Sequence, residues 1–229
     1  GNQQSIVNAS APKERPILFS APMVRAILEG SKTQTRRIVK PQPPDDHPHP
    51  QECMGEGYWW NDDDTDRDDL SFWPSYDNCL PCPYGKEGDR LWVREAWAVH
   101  GVLYDDLAPR DIHASTPRGC WEDGDSIWFA ADGEMPLAWQ GKCQPEQRGK
   151  WRPSIHMPRW ASRITLEITG VRVERLQDIS LGDCMAEGCP FPNIAKETDP
   201  IEWFAELWES INKHWDANPW VWVVEFKRV

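Results

Sequence analysis

Apolar positions along the chain mark short strands interrupted by short helices. Ile17-Leu18-Phe19 is an apolar run that reads as a strand. Met23, Val24, Ile27 and Leu28 then follow at helical spacing behind Pro22, a residue tolerated in a helix's first turn, and Gly30 is placed to stop that helix. The helix delivers the chain into Lys32 to Arg37, where alternating polar residues predict a strand or a turn running into one. Arg90 to Trp97 predicts a strand with Leu91, Val93 and Glu95 on one face and Arg90, Trp92 and Arg94 on the other. A short strand is expected at Ser126 to Ala131. Ile164, Leu166 and Ile168 alternate with Thr165 and Glu167, and Gly170 breaks the parity before Val171 and Val173 resume it, which predicts a bulge or sharp bend. Ser180 is placed to cap a short helix through Ala186 that stops at Gly188, and Pro200 to open a longer helix with Ile201, Phe204, Trp208 and Ile211 on one stripe. Trp220 to Phe226 is apolar on both faces, as in a central strand.

Two stretches, residues 41–83 and about 101–150, lack periodicity and read as insertions with little regular structure. Residues 1–14 read as a disordered tail and 15–229 as a single domain. Strands dominate, and helices do not alternate regularly with them. The expected fold is therefore α+β: a small, strongly bent β-barrel with flanking helices and two long irregular insertions.

Composition adds limits. No apolar run reaches the roughly 18 residues of a membrane-spanning helix, and the start of the chain lacks the apolar core of a signal peptide, so a soluble cytoplasmic protein is expected. With 25 Lys and Arg against 37 Asp and Glu the net charge is -12, which disfavours non-specific nucleic-acid binding. The acid is uneven, however. Residues 61–69 hold six aspartates, read as a solvated loop because a calcium site needs a defined spacing and a turn glycine that this run lacks. Basic residues gather elsewhere: Arg25, Lys32, Arg36, Arg37 and Lys40, then Arg148, Lys150, Arg152, Arg159 and Arg163.

The seven cysteines are irregularly spaced, unlike a secreted disulfide framework. Cys79 and Cys82 have the spacing of a zinc knuckle, with Cys53, His47 and His49 upstream and Cys120 and Cys143 downstream. A second close-spaced pair is missing, so reduced thiols are the favoured reading, and zinc on Cys53, Cys79 and Cys82 is the alternative. The 15 tryptophans belong mostly to the core, since each buries a large area.

Four blocks carry a family resemblance: Gly30-Ser31-Lys32-Thr33-Gln34-Thr35-Arg36-Arg37 after a short helix, Gly88-Asp89-Arg90-Leu91-Trp92-Val93-Arg94-Glu95, Ala186-Glu187-Gly188 after a capped helix, and the closing Trp222-Val223-Val224-Glu225-Phe226. In this order they resemble the ASCH family of the PUA-like superfamily of small β-barrels. Arg15 to Pro43, Pro83 to Ala98 and Trp151 to Ile179 resemble its phage and prophage branch. The resemblance implies a protein that handles RNA or a modified nucleoside, either as an amidohydrolase removing an acetyl group from a base such as N4-acetylcytidine or as a non-catalytic RNA-binding module. Carried over residue by residue, it implies Lys32, Thr35 and Glu187 as the catalytic set. Glu187 is placed by its position after the capped helix. Compact members are much shorter, so both insertions lie outside the resemblance.

That set is chemically sufficient for amide hydrolysis. A lysine whose pKa is lowered by burial can take the threonine proton, and a carboxyl in an apolar setting can protonate the leaving nitrogen. Lys32 and Thr35 are three apart and would face opposite ways on a regular strand, so a turn after Gly30 must bring them together. Glu95 is the rival carboxylate, with a salt bridge to Arg94, Arg36 or Arg37 as its plain structural role. Arg36, Arg37, Trp92, Arg94, His156 and Arg159 are the candidate substrate or nucleic-acid contacts, the arginines for phosphate and the rings for stacking. No cofactor is expected beyond the zinc alternative. The partners expected are RNA or a nucleoside, no membrane, and, if the aspartate run imitates nucleic acid, a host protein.

Overall fold

In a computed structural model the protein is described at residues 11–45, 48–53, 57–61, 72–74, 79–99, 104–115, 127–133, 148–190 and 199–229. The aspartate run, apart from Asn61, lies outside these residues, as do His47, Cys120 and Cys143. Of the expected tail, residues 1–10 lie outside them, while Lys13 is already anchored through its amide to Asp89 (2.9 Å) and Glu14 opens the first strand.

The elements of the main sheet are β1 (Glu14–Leu18), β2 (Gln34–Ile38), β6 (Arg90–Arg94), β9 (Thr165–Arg175) and β10 (Trp220–Arg228). Their order is β1-β6-β9-β10-β2, with β1 parallel to β6 and the other pairs antiparallel. Helix α1 (Ala21–Glu29) joins β1 to β2. The result is a mixed α+β fold around a mixed sheet.

Strand β10 explains why both sheet faces are covered. Trp222, Val224 and Phe226 point into one core with Ile17, Phe19, Leu91, Val93 and Ile168, while Val221 and Val223 point into a second with Leu176, Phe204 and Trp208. Burying a side chain of this size contributes about 1.5–3 kcal/mol, so a strand apolar on both faces belongs at the centre of the sheet. α3 (Leu181–Ala186) and α4 (Pro200–Ile211) lie on the second face. Ile211 departs from the expected apolar stripe of α4: it ends the helix and is half exposed. The parity break at Gly170 is a bulge. Glu225 pairs with Gly170 and Phe226 with Ile168, leaving Thr169 as the extra residue.

The ladder does not close into a barrel among the described residues. The two edge strands are instead joined by a side chain: Arg37 on β2 donates from Nη2 to the Leu18 carbonyl oxygen at the end of β1 (2.7 Å).

Both unpatterned stretches carry structure. Residues 41–83 contain a three-stranded antiparallel sheet, β3 (His49–Glu52), β4 (Tyr58–Asn61) and β5 (Phe72–Trp73). Its Trp60 is fully buried in the main core, edge-on to Trp220 at 6.1 Å. In the second stretch α2 (Pro109–Ser115) and β8 (Ile127–Phe129) build a separate core with β7 (Trp97–Val99). The strand expected over Arg90 to Trp97 divides into β6 and β7, and Glu95 sits in the break.

Candidate functional site

The site forms where the turn after α1 meets the end of α3. Gly30 ends α1 at φ +81°, a left-handed conformation suited to glycine, with its amide on the Ile27 carbonyl. The Lys32 amide then returns to the Ala26 carbonyl (3.0 Å), the Thr33 amide reaches Ala186 (2.8 Å), and the Thr33 carbonyl accepts from Phe226 (2.8 Å). On the other side Ser180 and Asp183 form a reciprocal capping box at the start of α3, and Glu187 is its C-cap. Gly188 follows at φ +94°, where a Cβ would lie 3.1 Å from Ala26 Cβ and 3.2 Å from Lys32 Cβ. Only glycine lets the two segments approach this closely, and the backbones of Lys32 and Glu187 pair directly as an antiparallel bridge.

That bridge positions the charges. Lys32 Nζ donates to Glu187 Oε2 at 2.7 Å and to the Glu187 carbonyl oxygen at 2.9 Å, and both side chains are almost wholly buried. Arg36 Nη1 lies 3.4 Å from Glu187 Oε1, and Arg36 Nη2 lies 2.8 Å from Glu174 and 3.4 Å from Asp183. Arg172 extends the network to Glu174, Asp183 and Glu225. Burial pushes the Lys32 ammonium below its ordinary pKa, against the attraction of Glu187, with Arg37 and Arg36 lowering it further.

The structure thus brings Lys32 to Glu187, with Arg36 beside them. Thr35 is buried and pairs with Val224, on the sheet face shared with Arg37 rather than Arg36. Lys32 precedes β2, so strand alternation does not govern its direction. The Phe19 ring is near both cations, with Lys32 Nζ at 5.8 Å and Arg37 Cζ at 5.3 Å from its centroid.

Glu95 lies elsewhere. Its carboxylate takes a two-point contact from Arg163 (3.0 and 3.1 Å), which also holds Asp132 and stacks 4.0 Å over Phe129. Burial raises the Glu95 pKa, against Arg163. The expected partners Arg94, Arg36 and Arg37 are replaced by Arg163, so Glu187 and not Glu95 meets Lys32. The other candidates divide as well. Arg36 sits inside the ion network with a fully buried side chain. Trp92 is buried, with Arg94 Cζ at 4.6 Å and Arg159 Cζ at 6.0 Å from its ring centroid. Arg94 donates to the Ile155 carbonyl beside exposed His156, and Arg159 pairs with Glu14 at 3.0 Å. Arg172 and Glu174 carried no signal in the sequence, and Arg163 stood out only as one of a basic cluster. Asp183 did carry one, through its spacing three residues after Ser180.

Cys53 and Cys79 are joined as a disulfide, so neither the reduced-thiol nor the zinc reading describes this pair. Burial pushes the Cys82 thiol up to about 11, against hydrogen bonds from the Tyr84 and Gly85 amides. Among the described residues no group of three or more His, Cys, Asp or Glu is placed to hold a metal, and no helix is long and apolar enough to cross a membrane. Cavities are present among the described residues. One of about 350 Å³ is lined by Met23, Ala26, Glu187, Gly188, Trp203 and Leu207; another, about 520 Å³, includes Arg15, Tyr58, Cys82, Asp89, Val171 and Trp222.

The capping box gives α3 an acid dependence. Burial pushes the Asp183 carboxyl up, but hydrogen bonds from the Ser180 hydroxyl and amide and the charge of Arg36 outweigh it and hold the group at about 2, against 3.8 in an unfolded chain. A depressed carboxyl contributes stability above its unfolded value and loses it as pH falls through its folded value. Between about pH 4 and pH 2 the wild type is therefore expected to lose stability more steeply than Asp183→Asn, measured as the thermal midpoint against pH.

Compared with protein-family models, with curated proteins and with solved structures, the chain matches none of them.

Proposed function

We propose that this protein is a PUA-like, ASCH-type domain that handles RNA or a modified nucleoside, and that it hydrolyses the amide of an N-acylated base such as N4-acetylcytidine. The observation that carries this reading is the buried pair of Lys32 and Glu187, 155 residues apart in sequence and 2.7 Å apart in space. These are two of the three residues that the family resemblance implies. The curled sheet, whose edge strands are linked by Arg37, supports the barrel-like reading.

In this mechanism Lys32, low in pKa through burial, takes the hydroxyl proton of Thr35, whose oxygen attacks the acyl carbon. Glu187, 2.7 Å from Lys32 Nζ, then relays that same proton from the Lys32 ammonium to the leaving amine, and water adds to the acyl-Thr35 ester, releasing the carboxylic acid and restoring the Thr35 hydroxyl. The Lys32 ammonium is closed off from solvent, so turnover requires the packing around it to open, a gating step of a familiar kind. The test is incubation with N4-acetylcytidine. The wild type is expected to release cytidine and Lys32→Ala to lose at least about a hundredfold in rate, within the usual range for a general base. Full turnover by folded Lys32→Ala would exclude the mechanism.

The alternative is a non-catalytic RNA-binding module. Arg37 and Arg94, on either side of exposed Leu18, have no carboxylate partner among the described residues, which favours it. Binding of single-stranded RNA that weakens steeply with salt, without turnover, is its signature.

A further inference from the structure

The carboxylate of Glu187 is shared. One oxygen faces Lys32 and the other faces Arg36, so two cations compete for one negative charge in a buried setting. A guanidinium keeps its charge across the working pH range, whereas an ammonium can lose a proton. When both draw on one carboxylate, the lysine is the member that can yield.

We propose that Arg36 is a positioning residue that holds Glu187 by its second oxygen and so weakens the grip of Glu187 on the Lys32 proton. The consequence for catalysis rests on the hydrolase reading above; the proton balance itself does not.

The groups around the pair are consistent in sign. From β2, Arg36 and Arg37 both disfavour a charged Lys32, and the Phe19 ring is the apolar neighbour on the β1 side. From α3, Glu187 favours the charge. Cys184, one turn before Glu187, is pushed by burial to about 11 and stays a neutral thiol. Arg36 is itself held in place from three elements: Glu174 of β9, Asp183 of α3 and the Phe204 ring of α4, 5.9 Å from Cζ. Arg172 braces Glu174 and Asp183 in turn. A buried side chain fixed in this way has little freedom to follow substrate, so its effect on chemistry passes through Glu187.

The test reads Lys32 directly and needs no substrate. Lysine labelled with ¹³C at Cε is followed by NMR against pH, with the Lys32 resonance assigned by its loss in Lys32→Arg. In Arg36→Met, Glu187 has Lys32 alone, and the Lys32 titration is expected to move upward by about one unit, a tenfold gain in proton affinity. Arg36→Lys, which keeps the charge, is expected to leave most of the wild-type value. Glu174→Gln provides a check of opposite sign if Arg36→Met does not fold. It removes a competing partner of Arg36 and moves the Lys32 titration downward. An unchanged Lys32 titration in folded Arg36→Met, or an upward shift in Glu174→Gln, would overturn the proposal. Because the readout is independent of turnover, failure of the hydrolase assay and failure of this proton balance are separate results.

Discussion

Glu187→Gln is expected to lower folding stability by about 3–5 kcal/mol at neutral pH, the cost of leaving one member of a buried ion pair without its counter-charge. The glutamine carbonyl still accepts a hydrogen bond from Lys32, so the loss reports charge rather than shape. The backbone bridge between Lys32 and Glu187 does not depend on the side chain and should survive. Lysine can also escape by losing its proton. With its folded pKa depressed by burial, the penalty from charged Lys32 is full below that folded value and is relieved as pH rises through it. The deficit of Glu187→Gln should therefore shrink toward alkaline pH. Lys32→Met combined with Glu187→Leu should recover most of the loss, since apolar replacement of a whole buried pair is often neutral. Urea unfolding of the wild type, Lys32→Met, Glu187→Leu and the double variant gives the coupling directly, provided the denaturant slope is unchanged.

Trp60→Ala is expected to cost about 3–5 kcal/mol, as large aromatic truncations in a core do. Trp60 belongs to a stretch without hydrophobic periodicity, yet its ring is fully buried against Trp220 and near Tyr58. If residues 41–83 were an appendage, truncation there would leave the main sheet untouched. The structure predicts instead that the thermal midpoint of the whole domain falls in a single transition, followed by tryptophan fluorescence and by far-ultraviolet circular dichroism together. A main transition that stays at the wild-type temperature would mean that the insertion folds apart from the core.

Where local chemistry dictates the backbone, the chain could be read directly. Gly30 and Gly188 stop helices because they take positive φ, Ser180 and Asp183 cap because their side chains match the free amides, and Gly170 bends β9 because it breaks the two-residue alternation. The Lys32 and Glu187 pair was reachable only through family resemblance, as no spacing rule links residues 155 apart. Arg163 for Glu95, Arg172 for Asp183 and the union of Cys53 with Cys79 were not legible at all. Ion pairs and thiol pairs across a fold leave no periodic trace, because each needs one suitable side chain at one place. The small β3–β5 sheet was missed for a related reason. Its strands are short, and Pro50 interrupts the pattern by which strands are recognised. A small, strongly bent barrel was expected from the number and bend of the strands; among the described residues the sheet edges are joined by the Arg37 side chain and not by a ladder.

Under the proposed function, the junction of the Gly30 turn with the end of α3 is where this protein meets a nucleobase. Amide NMR shifts recorded while N4-acetylcytidine is titrated into the Lys32→Ala protein test it most directly, because that variant is expected to bind without turning over. Saturable shifts centred on Ser31, Thr33, Thr35, Glu187 and Gly188 are the predicted result. Shifts confined to Arg94, His156 and Arg159, or no saturable shift at all, would contradict it.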